Sequence, residues 1–278
     1  MNVFMDLPGR LDKYSTSYMV FEVNGKEEIV PFDPSFRNSA GLYFGFTGHV
    51  NSIQMAEPIT CTFHYGENGE KTVGRVYKVS EYIEECVQEY ADYPRVVALA
   101  NALGNYGHYV QPILSQTRHW TIGVDYQEMF ATSEITDDMI RSAAKKAKPF
   151  AMSTTKDKGS KAKFTYSLNL ESGTEIYVFI RPEAGTTVTA SVDGTQVSAE
   201  LLSDSRYLVI IPNIPARELD KRHLIHVEAG SEAFDIDLCA LSYVNAVLNA
   251  DFPDIMQEAV TSLFNYYQAA AAYVPNDS

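Results

Sequence analysis

The chain is short of cysteine, tryptophan, basic residues and long apolar runs, and each shortage narrows what it can be. Its three cysteines, Cys61, Cys86 and Cys239, cannot all pair within one chain and form no Cys-x-x-Cys spacing, so their number leaves the compartment open. Cys61 alternates with Ile59, Phe63 and Tyr65, and Cys86 shares a helical stripe with Ile83, Val87 and Tyr90. Both read as small buried hydrophobes, with a Cys61–Cys86 disulfide the alternative in an oxidising compartment. No apolar run approaches the roughly 20 residues of a spanning helix, and the N-terminus lacks a basic-then-apolar signal layout. Lys and Arg number 22 against 36 Asp and Glu, a net charge of −14, which argues against nucleic acid or an anionic membrane as partner. Catalytic signatures are missing too: there is no Gly-x-Ser-x-Gly, no His-Glu-x-x-His and no phosphate-cradling glycine loop, so an enzyme is not expected.

Six histidines are present and none has metal-ligand spacing. His223 and His226 fall on opposite faces of the strand expected there. His49 and His64 are expected to point outward or lie in loops, and His108 to be structural or exposed on a helix. Asp235 and Asp237 share a strand face and read as solubilising residues rather than a calcium site, since no third acid or glycine-containing loop accompanies them. Neither a metal nor a cofactor is expected. Glu81, Glu84, Glu85 and Glu89 have the periodicity of a solvent face. Whether two other acids converge as glycoside cleavage requires is a three-dimensional property.

What is present is an ordinary globular composition, 45% hydrophobic and 21% charged, with internal similarity. Asn2-Val3-Phe4-Met5-Asp6-Leu7-Pro8 reads like Glu175-Ile176-Tyr177-Val178-Phe179-Ile180-Arg181-Pro182, and Leu42-Tyr43-Phe44-Gly45-Phe46 reads like Arg206-Tyr207-Leu208-Val209-Ile210. Val50 and Met55 recur as Ile214 and Leu219, 164 residues on; Tyr82, Ile83, Cys86 and Val87 as Tyr243, Val244, Val247 and Leu248, 161 on; Leu103, Asn105 and Tyr106 as Leu263, Asn265 and Tyr266, 160 on. An offset that drifts only across loops is what a diverged duplication leaves.

Each copy runs strands first and helices last. Asn24-Gly25 and Asp193-Gly194 mark hairpins, and two further strands, 59–65 and 72–79, follow in the first copy. The period then becomes helical, with a longer helix starting near Pro94, a residue favoured in the first turn. The expected class is α+β: two similar modules, 1–115 and 164–278, each an antiparallel sheet or small sandwich followed by a helical hairpin. Residues 116–163 read as a linker holding a short helix, which starts at Thr136-Asp137-Asp138 and ends before Pro149. Ser153-Thr154-Thr155 and Gly159-Ser160 look flexible. Residues 137–163 carry eight Lys and Arg against three Asp, a solvated basic run or a dock for an acidic partner.

The 18 Tyr and 14 Phe supply the signal for binding, because tyrosine buries much area with few rotors and keeps a polar tip. Tyr43, Tyr82, Tyr106, Tyr207, Tyr243 and Tyr266 recur at matched positions and are expected in the cores. Trp120, Tyr126, His119, Tyr109 and Tyr14 have no counterpart in the other copy and are the candidate binding residues. The segment holding His119, Trp120 and Tyr126 is expected either to wrap back over the first module or to offer an aromatic platform to a glycan.

The stretches Asn2 to Pro8, Tyr43 to Met55, Thr72 to Tyr82 and Leu99 to Gln111, with Ala240 to Asn249 and Leu263 to Tyr273 in the second copy, resemble a repeated module of large secreted or wall-anchored surface proteins of gut Firmicutes. The resemblance spans nearly the whole chain outside the basic stretch and rests on packing motifs. It implies an extracellular or cell-wall location among tandem repeats, as part of a longer protein, since module residues that precede the first strand in that family and a signal or sorting segment are not in this sequence. Together with the missing catalytic signatures and the aromatic content, that location leads to the expectation of a non-catalytic adhesin. Some surface proteins of this general kind bind immunoglobulin variable regions in a superantigen-like manner, so antibody Fab is the expected host partner, with a glycan or a purely structural spacer role as the alternative.

Overall fold

A computed structural model of the chain describes residues 2–7, 11–38, 41–118, 127–171 and 173–273. The first half contributes strands β1 (Asn2–Met5), β2 (Tyr18–Val23), β3 (Lys26–Pro31), β4 (Phe44–Thr47), β5 (Ile59–Tyr65) and β6 (Lys71–Tyr77), then helices α1 (Val79–Glu89) and α2 (Pro94–Arg118). After helix α3 (Asp137–Ala147) come β7 (Ser153–Thr154), β8 (Lys163–Asn169), β9 (Thr174–Arg181), β10 (Val188–Val192), β11 (Thr195–Val197), β12 (Glu200–Leu201), β13 (Tyr207–Ile214), β14 (His223–Ala229) and β15 (Glu232–Leu238). Helices α4 (Ala240–Leu248) and α5 (Asp254–Ala272) close the order. Among the described residues these make five α-helices and four sheets, with neighbouring strands antiparallel throughout. The expected α+β class holds.

Local chemistry accounts for most of these elements. Asn24 and Gly25 have φ of 52° and 72°, and Asp193 and Gly194 have 51° and 80°. Asparagine, aspartate and glycine tolerate that left-handed pair, which turns β2 into β3 and β10 into β11. In β5, Ile59, Cys61 and Phe63 are buried on one face. In β14 burial alternates without a break, with His223 inside and His226 outside as the period of two requires. On α1, Ile83 and Cys86 are buried while Glu81, Glu84, Glu85 and Glu89 face solvent. Thr136 caps α3, its hydroxyl accepting from the Met139 N–H at 3.4 Å, with Asp137 and Asp138 in the first turn.

The sheets are ordered β3-β2-β5-β6, β1-β4, β12-β13-β9-β8 and β11-β10-β14-β15-β7. In the first half Phe21, Phe32, Phe44, Phe46 and Phe63 form a phenylalanine-rich core, with Phe46 and Phe63 centroids 5.3 Å apart. The larger core gathers Ile176, Val178, Val209, Ile225, Val227 and Ile236 beneath α4 and α5, and it also takes in Ile53, Tyr106, Val110 and Leu114 from the first half. Helices α2 and α5 lie side by side, and Tyr106 and Tyr266 stack with centroids 5.4 Å apart.

The stretch read as flexible linker departs from expectation. Ser153–Thr154 is strand β7, pairing with β15, and the Thr154 hydroxyl donates to the Asp235 carbonyl at 2.8 Å. Glu232 gathers the next segment: it accepts from the Ser160 hydroxyl at 2.6 Å, the Lys161 N–H at 2.8 Å and the Ala162 N–H at 2.9 Å. Small polar residues resemble a linker in composition, but here they satisfy the open edge of β15, which has backbone groups to pair. Helix α3 packs on α4 and α5, burying Ala143 and Ala147. Among the described residues no helix is long and apolar enough to cross a membrane.

Candidate functional site

Of the five candidate binding residues, His119, Trp120 and Tyr126 lie outside the described residues, and with them the glycan-platform reading. Tyr14 sits on the first core, 6.1 Å from Phe32 and 6.4 Å from Phe63 between centroids. Tyr109 projects from α2, and its hydroxyl accepts from the Ile135 N–H at 2.9 Å. It belongs to a row of α2 side chains that hold the returning chain over residues 127–135. The Asn105 side-chain Oδ1 accepts from Thr132 N at 2.8 Å and Ser133 N at 3.1 Å. His108 Nδ1 donates to the Met129 carbonyl at 2.7 Å. Gln111 Oε1 accepts from Met129 N at 2.8 Å, and its amide donates to the carbonyls of Ile53 and Gln127. Tyr14 and Tyr109 are therefore packed, by a core and by a helix clamp, and the structure does not bring them together.

Each histidine among the described residues has a ring contact or a hydrogen bond. His223 Nδ1 lies 2.8 Å from an Asp193 carboxylate oxygen, and His226 Nδ1 lies 2.7 Å from Asp235. His49 pairs with Glu28 at 2.7 Å, and His64 stacks on Tyr18 at 4.6 Å. Among the described residues no group of three His, Cys, Asp or Glu could hold a metal ion. Cys61, Cys86 and Cys239 are free and buried. Burial pushes the Cys61 thiol up to about 11 and raises that of Cys239, the reverse of an activated nucleophile.

A shallow groove of about 290 Å³ runs between α3 and α5, lined by Asp138, Met139, Ser142, Lys146, Phe264 and Gln268 among others. Asp138 is the single carboxylate in that lining, and Arg141 holds it at 2.6 Å. Two converging acids, the minimum for glycoside cleavage, are not provided there.

The aromatic surface is elsewhere. Tyr82 is 63% exposed, Tyr90 45% and Tyr93 62%, on α1 and on the turn that leads to α2. Tyr90 and Tyr93 meet edge to face at 6.1 Å. A hydrogen bond with the Cys86 thiol, then partial burial, then the neighbouring Tyr90 and Tyr273 phenols push the Tyr82 phenol up to about 12, so it stays neutral. The exposed Glu81, Glu84, Glu85 and Glu89 accompany these rings. The result is an exposed group of tyrosines with acidic neighbours.

Sequence matching placed Tyr82 and Tyr43 in the cores, and this is corrected: both are exposed, whereas Tyr106 is buried and Tyr207, Tyr243 and Tyr266 pack against the larger core. The physical reason is visible for Tyr82. Its counterpart Tyr243 is covered by Tyr166 of β8, centroids 6.4 Å apart, and among the described residues no strand does this for Tyr82. Tyr90, expected on the buried stripe, occupies the α1 C-cap, where the helix turns away from its core. Tyr93 is not among the residues the sequence singles out; the signal that could have found this patch is a pair of tyrosines three residues apart across the break between two helical periods.

Comparison of the chain with protein-family models, with curated proteins and with solved structures yields no match.

Proposed function

We propose that the chain is a non-catalytic binding protein made of two similar modules, displayed outside a Gram-positive cell, and that it recognises a host protein through exposed tyrosines. The framework of an immunoglobulin variable domain is the partner we name. The observation that carries the binding role is the exposure of Tyr82, Tyr90 and Tyr93, with Tyr90 and Tyr93 in ring contact, because exposed tyrosines with few rotors are what protein recognition surfaces select.

The duplication is supported by matched pairings. β1 pairs with β4 as β9 pairs with β13; β3-β2-β5-β6 repeats the order β11-β10-β14-β15. The Ser80 N–H donates to the Met55 carbonyl at 3.2 Å, and the Leu241 N–H donates to the Leu219 carbonyl at 3.1 Å. At the starts of α1 and α4, Lys78 bridges to Glu81 at 3.4 Å where Cys239 and Ser242 form a capping box. The Tyr106–Tyr266 stack brings matched residues face to face, as at the axis of a two-fold interface. On this reading α3 and β7 belong with the second module, and residues 127–135 with the first.

The resemblance to repeated wall-anchored modules supports the location and suggests avidity through repetition. The test is binding of polyclonal immunoglobulin G to the chain and to its Tyr90→Ala/Tyr93→Ala variant. Loss of two anchor rings should weaken binding about 30-fold or more, at about 1 kcal/mol or more per ring. Undiminished binding by the variant would remove the patch from the account.

A further inference from the structure

The sheet ordered β12-β13-β9-β8 buries Ile176, Val178 and Ile180 of β9 on one face. Its other face carries an arrangement that the functional reading does not use. Lys163 of β8 stands directly opposite Arg181 of β9, and both are exposed. On the other side of β9, Tyr207 of β13 is opposite Ile180, which puts Arg206 next in line beside Arg181. Three basic residues thus cross three neighbouring strands in a chain of net charge −14. Like charges directly opposite each other cost stability. Arg206 is answered by Asp204 at 2.6 Å, and nearby Lys161 by Glu183 at 2.7 Å. Among the described residues neither Lys163 nor Arg181 has an ion pair.

Below this basic row the same face continues along β9 with Phe179 and Tyr177, as the period of two requires. Their rings meet edge to face at 6.3 Å, and the Arg206 guanidinium lies over Phe179 at 4.6 Å. The Tyr177 hydroxyl accepts from the Asn169 amide at 3.0 Å and donates to Glu175 at 3.1 Å, which holds the ring in place. β8 sets Thr165 and Ser167 opposite the two rings, and β13 sets Leu208 and Ile210 opposite them on the other side. The face therefore has cations at one end, two rings along its middle, hydroxyls on one flank and aliphatic side chains on the other.

We propose that this face binds an acidic glycan, its carboxylate or sulfate on the Lys163–Arg181 pair and a sugar ring against Tyr177. A bound anion turns the opposed like charges into charge-assisted hydrogen bonds. The C–H face of a pyranose is apolar and suits an aromatic ring, while its hydroxyls find partners in Thr165 and Ser167. An acidic peptide would use the cations but has no need of a hydroxyl column beside the rings. The inference goes beyond the functional reading above and uses neither the tyrosines of α1 nor the duplication.

The test is calorimetric titration of the intact chain with 3′-sialyllactose, a heparin-derived sulfated disaccharide, neutral lactose and a hexaglutamate peptide. Saturable binding of at least one acidic sugar is expected, weakening as salt is raised, with none for lactose. Lys163→Gln/Arg181→Gln should weaken that binding about tenfold or more, and Tyr177→Ala about fivefold. The double variant removes exposed like charges, so its Tm should not fall. Tyr90→Ala/Tyr93→Ala should bind the sugar as the unaltered chain does, which separates this site from the functional reading. No saturation by either acidic sugar, lactose bound as tightly, hexaglutamate bound as tightly, or indifference to the Lys163/Arg181 and Tyr177 variants would overturn the proposal.

Discussion

Gln111 decides where the chain goes after α2. It is 1% exposed, and its amide satisfies the Met129 N–H and the carbonyls of Ile53 and Gln127, tying the helix to two separate segments. Gln111→Ala strands these groups in a buried site, so a loss of about 3 kcal/mol is expected in urea unfolding, with faster hydrogen exchange at Met129. Glu232 acts similarly at the other end of the returning chain. The Ser160 hydroxyl and two backbone N–H groups hold its carboxylate down to about 2, from an ordinary 4.5. Its folded pKa lies below its unfolded one, so its stabilising effect is full above about 4.5 and fades as pH falls through about 2. Glu232→Gln should therefore lower Tm most at neutral pH, the deficit shrinking toward pH 2; a deficit independent of pH would refute the assignment. Sequence reading found the apolar residues of this scale, such as Cys61 and Ile83, through their periods. Gln111 was not legible, because a polar residue on a helix reads as surface unless its partners are known.

At the scale of elements, hairpins and helix starts were legible because their signals are local. Asn24-Gly25, Asp193-Gly194, Pro94 and Thr136 each carry a conformational or capping requirement that no tertiary contact overrides. β7 and the exposure of Tyr82 were not legible, since both depend on whether a neighbouring strand is present. Matching Tyr43 to Tyr207 also misses the structural register by one residue. Phe44 and Phe46 face inward in β4 as Val209 and Ile211 do in β13, and a one-residue slip exchanges the faces of a strand. Gly107 shows how tightly elements meet: a Cβ there would stand 3.0 Å from Met129 Cγ and from Met55 Sδ. Gly107→Val should destabilise the chain by about 2 kcal/mol, since overpacking and a β-branched helix residue act together. Thermal unfolding checks this, and an unchanged Tm would show that the methionines yield freely.

At the scale of the molecule, the first half keeps a core of its own but shares part of its interior with the second. Ile53, Tyr106, Val110 and Leu114 of the first half lie in the same buried cluster as the sheets and helices of the second. Far-ultraviolet circular dichroism and tyrosine fluorescence should therefore report one coincident unfolding transition. Tyr106→Ala and Tyr266→Ala, measured singly and together, should show a coupling of about 1 kcal/mol, the worth of an aromatic pair beyond its area. Additive losses would mean that the stack contributes only burial. Sequence matching paired Leu103, Asn105 and Tyr106 with Leu263, Asn265 and Tyr266, yet could not show that Tyr106 and Tyr266 touch. The most direct test of the functional claim is binding of the intact chain to Fab and Fc pieces of polyclonal immunoglobulin G. The account predicts saturable binding to Fab from many unrelated antibodies and none to Fc; binding to Fc, or to neither piece, would contradict it.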